Sequence, residues 1–202
     1  LFFKLIKNTD FSDEVNGTIL SKEKNLNFFK IKKKIKKILI QKKIKVKLNR
    51  SFLRRDLDKY YKVIIACYDK NNEVLKNLGV KPRNKYKFEL VEKIVIKLPK
   101  RYQRKSFMVL DGKFVSLDPY IGTKYHLLSD VQHSKIEVIK NFYPKFRDYR
   151  KKYLNKGLLK LNKVSNFKKF ILNSSKYLPF LNEAKYIGSF FVTRAIELNK
   201  EK

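Results

Sequence analysis

The chain has 202 residues, with 50 Lys+Arg against 18 Asp+Glu and a formal net charge of +32. A disordered basic tail is excluded, because such segments lack aromatic residues and this chain has 16 Phe and 12 Tyr. An enzyme with an ordinary mixed-charge surface is also excluded, since self-repulsion this strong destabilises a compact state that has no polyanionic partner. No apolar run reaches the roughly 18 residues that span a membrane.

The first 42 residues are predicted to form a basic N-terminal extension. Residues 1–27 are polar and irregular, and residues 30–55 contain 13 basic residues and no acid. Phe28, Ile31, Ile35 and Ile38 recur at helical spacing, which indicates an amphipathic helix with one narrow apolar stripe. The rest of this helix would present the first group of candidate RNA-binding residues: Lys32, Lys33, Lys34, Lys36 and Lys37.

Residues 43–163 are predicted to form an α+β domain. Alternation predicts strands at 43–48, 86–90 and 94–98, and short apolar stretches predict further strands at 107–110, 125–128, 136–139 and 158–161. Helices are predicted at 57–79 and 144–153. Gly79 is interpreted as a helix C-terminal cap and Pro99 as the end of a strand. With the stretches between the two helices grouped as its two middle strands, this is the ferredoxin-like β-α-β-β-α-β arrangement, which leaves one sheet face free for a partner. Residues 164–202 are predicted to be a helical C-terminal extension.

Several short stretches of this domain follow one another in a characteristic order. An alternating basic and aliphatic strand at 44–48 precedes Phe52 and a Leu-Asp pair at 57–58. A Leu-Pro step follows at 98–99, then Phe-Met-Val-Leu at 107–110, and then His133 with Ile-Glu-Val-Ile at 136–139. In this order they resemble the small-subunit ribosomal protein S-ten family. The resemblance implies a long hairpin, about residues 98–135, that protrudes into the small-subunit head against rRNA and neighbouring ribosomal proteins.

Two further basic groups are candidates for phosphate contacts, which strengthen RNA binding by releasing condensed counterions. One surrounds the predicted hairpin and the other lies on the predicted helix 144–153. The arginines among them favour bidentate phosphate contact. Tyr102 and Tyr120, near turns, are the candidates for stacking on exposed bases. The basic candidates are Lys100, Arg101, Arg104, Lys105, Lys113, Lys124, His133, Lys135, Arg147 and Arg150.

The chemistry-bearing residues do not form a catalytic pattern. The acids are scattered, and the sequence has no Gly-rich phosphate loop and no zinc-ligand spacing. The single cysteine, Cys67, is predicted to be a small buried residue of a helix. We therefore expect no enzymatic activity, no cofactor, no metal and no small-molecule substrate.

Composition also favours an organellar origin. Lys, Asn, Ile, Phe and Tyr have A/T-rich codons, whereas the chain has only three Ala and no Trp. The first arginine is Arg50, unlike the Arg-rich start of an import peptide, which favours synthesis inside the organelle from an A/T-rich genome.

We therefore expect a structural constituent of the mitochondrial small ribosomal subunit in the matrix, without a membrane span. Two alternatives remain open. One is a matrix-side accessory subunit of an inner-membrane complex, with its basic 28–47 helix on anionic lipid. The other is a nucleic-acid-processing factor.

Overall fold

The computed structural model describes residues 3–7, 9–110 and 114–198. A small hairpin of β1 (Phe3–Ile6) and β2 (Thr18–Ser21) precedes the helix α1 (Phe28–Gln41). Two three-ten helices, Arg54–Lys59 and Tyr68–Lys70, lead into the short helix α2 (Asn71–Asn77). Within these ranges, no helix has both the length and the apolar character that a membrane crossing requires.

The remainder of the chain forms an antiparallel sheet with helices on one side. Its six strands within the described ranges are β3 (Tyr86–Lys97), β4 (Phe107–Val109), β5 (Val115–Pro119), β6 (His126–Asp130), β7 (Lys135–Asn141) and β8 (Lys185–Glu197). The helices α3 (Asp148–Lys151) and α4 (Phe167–Ser174) lie between β7 and β8 in the chain.

The central strand β3 is hydrogen-bonded along both edges. On one edge β8 pairs with it over its whole length, from Tyr86 opposite Glu197 to Lys97 opposite Lys185. On the other edge β7 pairs with the first half of β3 and β6 with the second half. The Glu92 N–H donates to the Ser134 carbonyl (2.8 Å) in the turn between them, so β6 and β7 form one interrupted strand. β5 and then β4 complete the sheet.

The sheet buries one face under the C-terminal half of the chain. Successive residues of a strand point to opposite faces, and the even-numbered residues of β3 point to the core. A first cluster packs Ile94 and Ile96 against Phe170 of α4 and against Leu178 and Leu181. A second cluster is formed by Phe88, Leu90, Phe146 and Phe191. The odd-numbered face of β3 carries the exposed Lys93 and Lys97 together with the buried Glu89 and Val95.

Two buried carboxylates, those of Glu92 and Asp130, connect the sheet to α4. Glu92, fully buried, accepts a hydrogen bond from the Ser189 hydroxyl on β8 and one from the Asn166 N–H (2.9 Å) before α4. Asp130, also fully buried, accepts from the Asn173 amide of α4 (2.9 Å) and lies 2.9 Å from the His133 Nδ1. Both carboxylates connect α4 to the sheet at positions where an apolar side chain would leave buried N–H groups unpaired.

The predicted strand at 43–48 is wrong. Residues 42–53 are neither helix nor strand, and most of them are exposed. Lys43 instead adopts a left-handed conformation (φ 53°) after α1, and the Ile44 N–H donates to the Leu39 carbonyl (2.9 Å). The first part of the alternating run is thus taken up by a Schellman-type helix end.

The predicted helix at 57–79 forms only at its C-terminal end. Residues 60–67 are not helical, because Val63, Ile64 and Ile65 are β-branched and lose side-chain freedom in a helix. Gly79 is confirmed as the cap of α2, with a positive φ of 76° and its N–H donating to the Lys76 carbonyl (3.0 Å). Cys67 is exposed, so its predicted burial is also wrong.

The predicted helical extension at 164–202 is half wrong. α4 forms where aromatic spacing predicts it, but Lys185–Glu197 is the long strand β8. A Cβ at Gly188 would lie 2.8 Å from the Leu159 carbonyl oxygen, so glycine permits this close backbone approach. The predicted strand at 158–161 is reduced to the single bridge between Leu159 and Ser189.

The predicted ferredoxin-like order therefore gives way to a mixed α/β fold whose described strand pairings are all antiparallel. The predicted helix at 144–153 is shortened to α3. The predicted hairpin at about 98–135 does not protrude, because its strands β4, β5 and β6 contribute Phe107, Val115 and Leu128 to the first cluster. The Asp-Gly pair at 111–112, whose sequence indicates a turn, lies outside the described residues.

Replacement of a core residue of α4 should unfold the protein more easily than replacement of a surface residue of the same helix. Phe170 is fully buried and Leu172 is 70% exposed. Phe170→Ala should lower the free energy of unfolding by about 3–5 kcal/mol, because it leaves a cavity. Leu172→Ala, the matched control, should change it by less than about 0.5 kcal/mol. Urea unfolding measures both, and equal shifts would contradict the placement of α4.

His126 is buried in the first strand of the interrupted pair, β6. Burial lowers the pKa of its imidazole below the ordinary 6.5, and the nearby carbonyls of Tyr102 and Lys105 oppose this only in part. As the pH falls, His126 therefore becomes protonated at a higher pH in the unfolded chain than in the folded protein. Folding stability is consequently lost below pH 6.5.

The thermal midpoint of unfolding should accordingly fall between pH values of about 7.5 and 5.5. His126→Leu should remove most of this pH dependence, because it removes the buried titrating group. His133→Gln, the control at the other histidine, should keep it. Circular dichroism melts at both pH values provide the measurement, and an unchanged pH dependence in His126→Leu would refute the assignment.

Candidate nucleic-acid interface

Five acidic side chains are buried and form hydrogen bonds or ion pairs that stabilise the fold. They are Asp56, Glu89, Glu92, Asp130 and Glu137, each with a side chain at most 7% exposed. A buried carboxylate is tolerated only when it is paired and hydrogen-bonded, and each of these has hydrogen-bonding or cationic neighbours. The net positive charge is therefore concentrated on the solvent side of the molecule.

Asp56 illustrates this use of an acid. Its carboxylate contacts the Lys59 ammonium (2.8 Å) and the Arg50 guanidinium (3.1 Å), and it accepts from the Leu53 N–H (3.2 Å). The Lys59 hydrogen bond, followed by the Leu53 N–H, lowers the pKa of Asp56 from 3.8 to about 2. The carboxylate thus stays charged throughout the physiological pH range and holds the start of the three-ten helix.

The odd-numbered face of β3 carries a band of cations. Paired residues of neighbouring strands point to the same face, so Lys93 lies beside Phe190, Lys97 beside Lys185, and Lys87 beside Lys140. Lys93, Lys97, Lys140 and Lys185 are exposed. We call this surface the basic sheet face, and define it by Lys87, Lys93, Lys97, Lys140, Lys185 and Arg194.

Glu89 is the buried counter-charge of the basic sheet face. Its carboxylate lies 3.5 Å from the Arg194 guanidinium, 3.8 Å from the Lys135 ammonium and 3.9 Å from the Lys87 ammonium. Lys93 and Lys97 have no ion pair within the described residues. The face therefore keeps a net positive charge.

A row of aromatic rings joins α1 to the basic sheet face. Phe29, in the first turn of α1, lies 6.3 Å from the Tyr120 ring, and Tyr120 lies 5.9 Å from Phe190 in an edge-on arrangement. The Asn27 side chain caps the helix by accepting from the Lys30 N–H (3.0 Å). Tyr120 is half-buried within this row, so its ring is a contact between elements and only partly available for stacking on a base.

Helix α1 presents the first predicted group together. Lys32, Lys33, Lys34, Lys36 and Lys37 are all exposed, and no residue of the helix is buried. The first turn contains no acid to offset them. Phe29, at the start of this helix, connects it through Tyr120 and Phe190 to the basic sheet face. Both surfaces offer ammonium groups that suit the phosphates of a polyanion.

The group at 100–105 stays together but is partly neutralised. Arg101 forms an ion pair with Glu183 (2.7 Å) and Lys105 with Asp10 (3.3 Å). Lys100 and Arg104 have no ion pair in the part of the chain that the structure describes. Tyr102 is buried and stacks on Phe180 with 3.9 Å between ring centroids, so its predicted stacking on a base is wrong.

The remaining predicted residues are scattered around the sheet. Arg147 and Arg150 share Glu137, at 3.3 and 4.0 Å, and the Arg150 guanidinium also donates to the Ile136 carbonyl. Lys135 lies on Glu89, and His133 on Asp130. Lys124 lies over the Tyr125 ring at 6.0 Å. Lys113 lies outside the described residues.

The basic sheet face was missed by sequence reasoning. Its lysines on β3 alternate with apolar residues, and this alternation could have predicted that they lie together on the solvent-facing side of the strand. Arg194 and Lys185 gave no such signal, because their segment was interpreted as a helix. The described residues contain no group of His, Cys, Asp or Glu arranged to hold a metal ion.

Comparisons with protein families, with curated proteins and with solved structures find no match to this chain.

Loss of two lysines from the basic sheet face should weaken RNA binding and its salt dependence. In Lys93→Ala/Lys97→Ala, the slope of log affinity against log salt should fall by about 1.5, because two phosphate contacts are lost. The control Lys70→Ala/Arg147→Ala removes the same charge from residues paired with Glu73 and Glu137, and should change the slope less. Filter binding of duplex RNA over a salt series measures this, and equal changes would argue against a localised interface.

Proposed function

We propose that this protein is a structural rRNA-binding constituent of the small subunit of a mitochondrial ribosome. One observation carries the proposal: α1 and the basic sheet face, connected by the rings of Phe29, Tyr120 and Phe190, both carry exposed lysines, while five acids have buried side chains. Such a surface suits a large polyanion and has no use in a chain that acts on small neutral substrates.

This surface is better suited to binding the backbone of duplex RNA than to recognising a particular base sequence. The A-form major groove is too narrow for side chains, so proteins bind it through phosphates, shape and 2′-hydroxyl groups. Apart from Arg194, the cations of α1 and of the basic sheet face are lysine ammonium groups, which contact phosphates as point charges. Contacts of this kind position a protein on folded RNA without reading its sequence.

The resemblance to the S-ten family is the reason for proposing the ribosome, and within it the head of the small subunit, as the place where the protein binds RNA. Its implied ferredoxin-like sheet would require a strand at 43–48 and another at 158–161, and these residues form no such strands here. The proposal therefore depends on the net positive charge and on the abundance of residues with A/T-rich codons. The S-ten assignment and the mitochondrial location remain proposals that purification must test.

The second candidate is an accessory subunit that binds an anionic membrane through α1. The observation in its favour is that Phe28, Ile35 and Ile38 of the apolar stripe are exposed. The stripe is narrow and the chain has no Trp, which limits insertion into the headgroup region.

Sedimentation of mitochondrial extracts separates the two candidates. The tagged chain should co-sediment with the small ribosomal subunit through moderate salt, because many phosphate contacts act together. It should be released by high salt or by RNase. If it remains with the membrane fraction after RNase treatment, the ribosomal proposal fails and the membrane candidate gains support.

A further inference from the structure

A cavity of about 630 Å³ is formed by the part of the chain that follows α1. Cationic and aromatic side chains make up most of its wall. Lys45, the first of the cations, comes shortly after the end of the helix at Gln41. The volume falls within the range of roughly 300–1,000 Å³ that is typical of ligand sites in proteins. The cavity is therefore large enough to hold one nucleotide.

The cavity has an excess of positive charge. Asp56 is the one acid in its wall among the described residues, and its buried carboxylate already contacts the Arg50 guanidinium (3.1 Å) and the Lys59 ammonium (2.8 Å). Lys45 and Lys47 also line the cavity, are exposed, and have no ion pair within the part of the chain that the structure describes. Two ammonium groups therefore remain for the phosphates of a ligand.

Two aromatic rings supply the apolar part of the wall. The ring centroids of Phe52 and Tyr60 are 5.9 Å apart and the ring planes are inclined at 51°, so the two rings are not stacked on one another. Tyr60 is 52% exposed, and no cation lies over either ring within the described residues. An exposed ring beside ammonium groups can stack on any nucleic-acid base, since every base has a π-face.

The three-ten helix at Arg54–Lys59 holds the two rings in place. At its start, the Asp56 carboxylate accepts from the Leu53 N–H (3.2 Å), directly after Phe52. At its end, the Tyr60 N–H donates to the Leu57 carbonyl (3.1 Å). The rings therefore flank one short helix that the buried carboxylate stabilises. A site that is already ordered loses less conformational entropy when a ligand binds.

We propose that this cavity binds an unpaired nucleotide of RNA, and we call it the nucleotide pocket, defined by Lys45, Lys47, Phe52, Asp56 and Tyr60. The base would stack on the Tyr60 ring, and the phosphates on either side of it would contact Lys45 and Lys47. The inference rests on the proposed function, because RNA is the expected partner. It adds a site for a nucleotide outside the duplex, as in a bulge or a loop.

The chemistry of the wall favours this occupant over others. Among the described residues, no Val, Leu, Ile or Met lines the pocket, so it offers no aliphatic wall to a lipid acyl chain. An acidic peptide side chain would pair with the ammonium groups but has no planar ring to cover Tyr60. A free nucleotide shares the chemistry of a nucleotide in RNA. The polymer is favoured because α1, just before the pocket in the chain, presents further exposed lysines to neighbouring phosphates.

The first test compares three RNA duplexes of one sequence: one fully paired, one with a single unpaired adenosine, and one in which that unpaired nucleotide lacks its base. The adenosine bulge should bind about tenfold more tightly than the abasic bulge, because only the adenosine can stack. Filter binding at moderate salt measures the three dissociation constants. Equal binding of the two bulged duplexes would overturn the nucleotide pocket and leave the proposed function standing. Absence of binding to all three would overturn both.

Substitution of Tyr60 should remove the preference for the adenosine bulge. Tyr60→Leu removes the ring, and the tenfold ratio should disappear, whereas Tyr60→Phe keeps the ring and should keep the ratio. Tyr61→Leu is the matched control, because Tyr61 is the next residue, is fully exposed and does not line the pocket. Circular dichroism melts check that the variants remain folded. An unchanged ratio in Tyr60→Leu, or an equal loss in Tyr61→Leu, would contradict the proposal.

Photo-cross-linking tests the pocket in the unaltered chain and identifies the source of its ligand. Thiouridine placed at the bulge should cross-link to Tyr60 or Phe52, as mapped by peptide mass spectrometry, and cross-links confined to other residues would refute the pocket. Adenosine monophosphate or vesicles of anionic phospholipid, at a phosphate concentration equal to that of the RNA, should leave the cross-link unchanged. If either abolishes it, the occupant is a free nucleotide or a lipid, and the proposal is overturned.

Discussion

The pairing of β3 along both of its edges is the interaction on which the rest of the structure depends. β8 covers one edge for twelve residues, and the interrupted strand of β6 and β7 covers the other. Because successive side chains alternate, this single strand supplies both the core and the basic sheet face. Phe88, Leu90, Ile94 and Ile96 point to one side, and Lys87, Lys93 and Lys97 to the other.

A chain this basic must also place its few acids carefully. Glu92 and Asp130 connect α4 to the sheet, Glu137 receives two arginines, and Glu89 lies among three cations. Removing one partner from a buried ion pair or hydrogen-bonded carboxylate is costly, so these acids are structural. Their burial leaves the surface strongly positive, and the fold and the requirement for a polyanionic partner thus have the same electrostatic origin.

Local patterns predicted α1, α4 and several strands of the sheet well, and failed at 43–48, over most of 57–79 and in β8. The alternation over 86–97 identified β3, since residues half-buried in a sheet repeat every two positions, and short apolar stretches at 107–110 and 136–139 identified β4 and β7. The same alternation at 43–48 was misleading, because Ile44 closes the end of α1 and no strand lies beside it. In β8, the spacing of Tyr186, Ile187, Phe190 and Phe191 fits a helix as well as a strand, and pairing with β3 decides for the strand.

In the candidate site, too, local features were predicted and contacts between separate segments were not. The exposed lysines of α1 were identified because their spacing and the absence of acids depend only on local sequence. The arginines at 101, 147 and 150 were expected to be free, yet each has an acidic partner distant in the chain. Tyr102 was expected at the surface and lies buried on Phe180. Neither outcome could follow from local pattern, because both depend on contacts between remote segments.

By itself, the sequence determined the net charge of +32, the two-residue periodicity of the central strands and the cap at Gly79, since each is a property of composition or of a few neighbouring residues. Only the tertiary structure decided which strand covers β3, which cations are paired and which face remains open. The physical reason is that strand pairing and ion pairing are made across long chain separations, where local propensity carries little information.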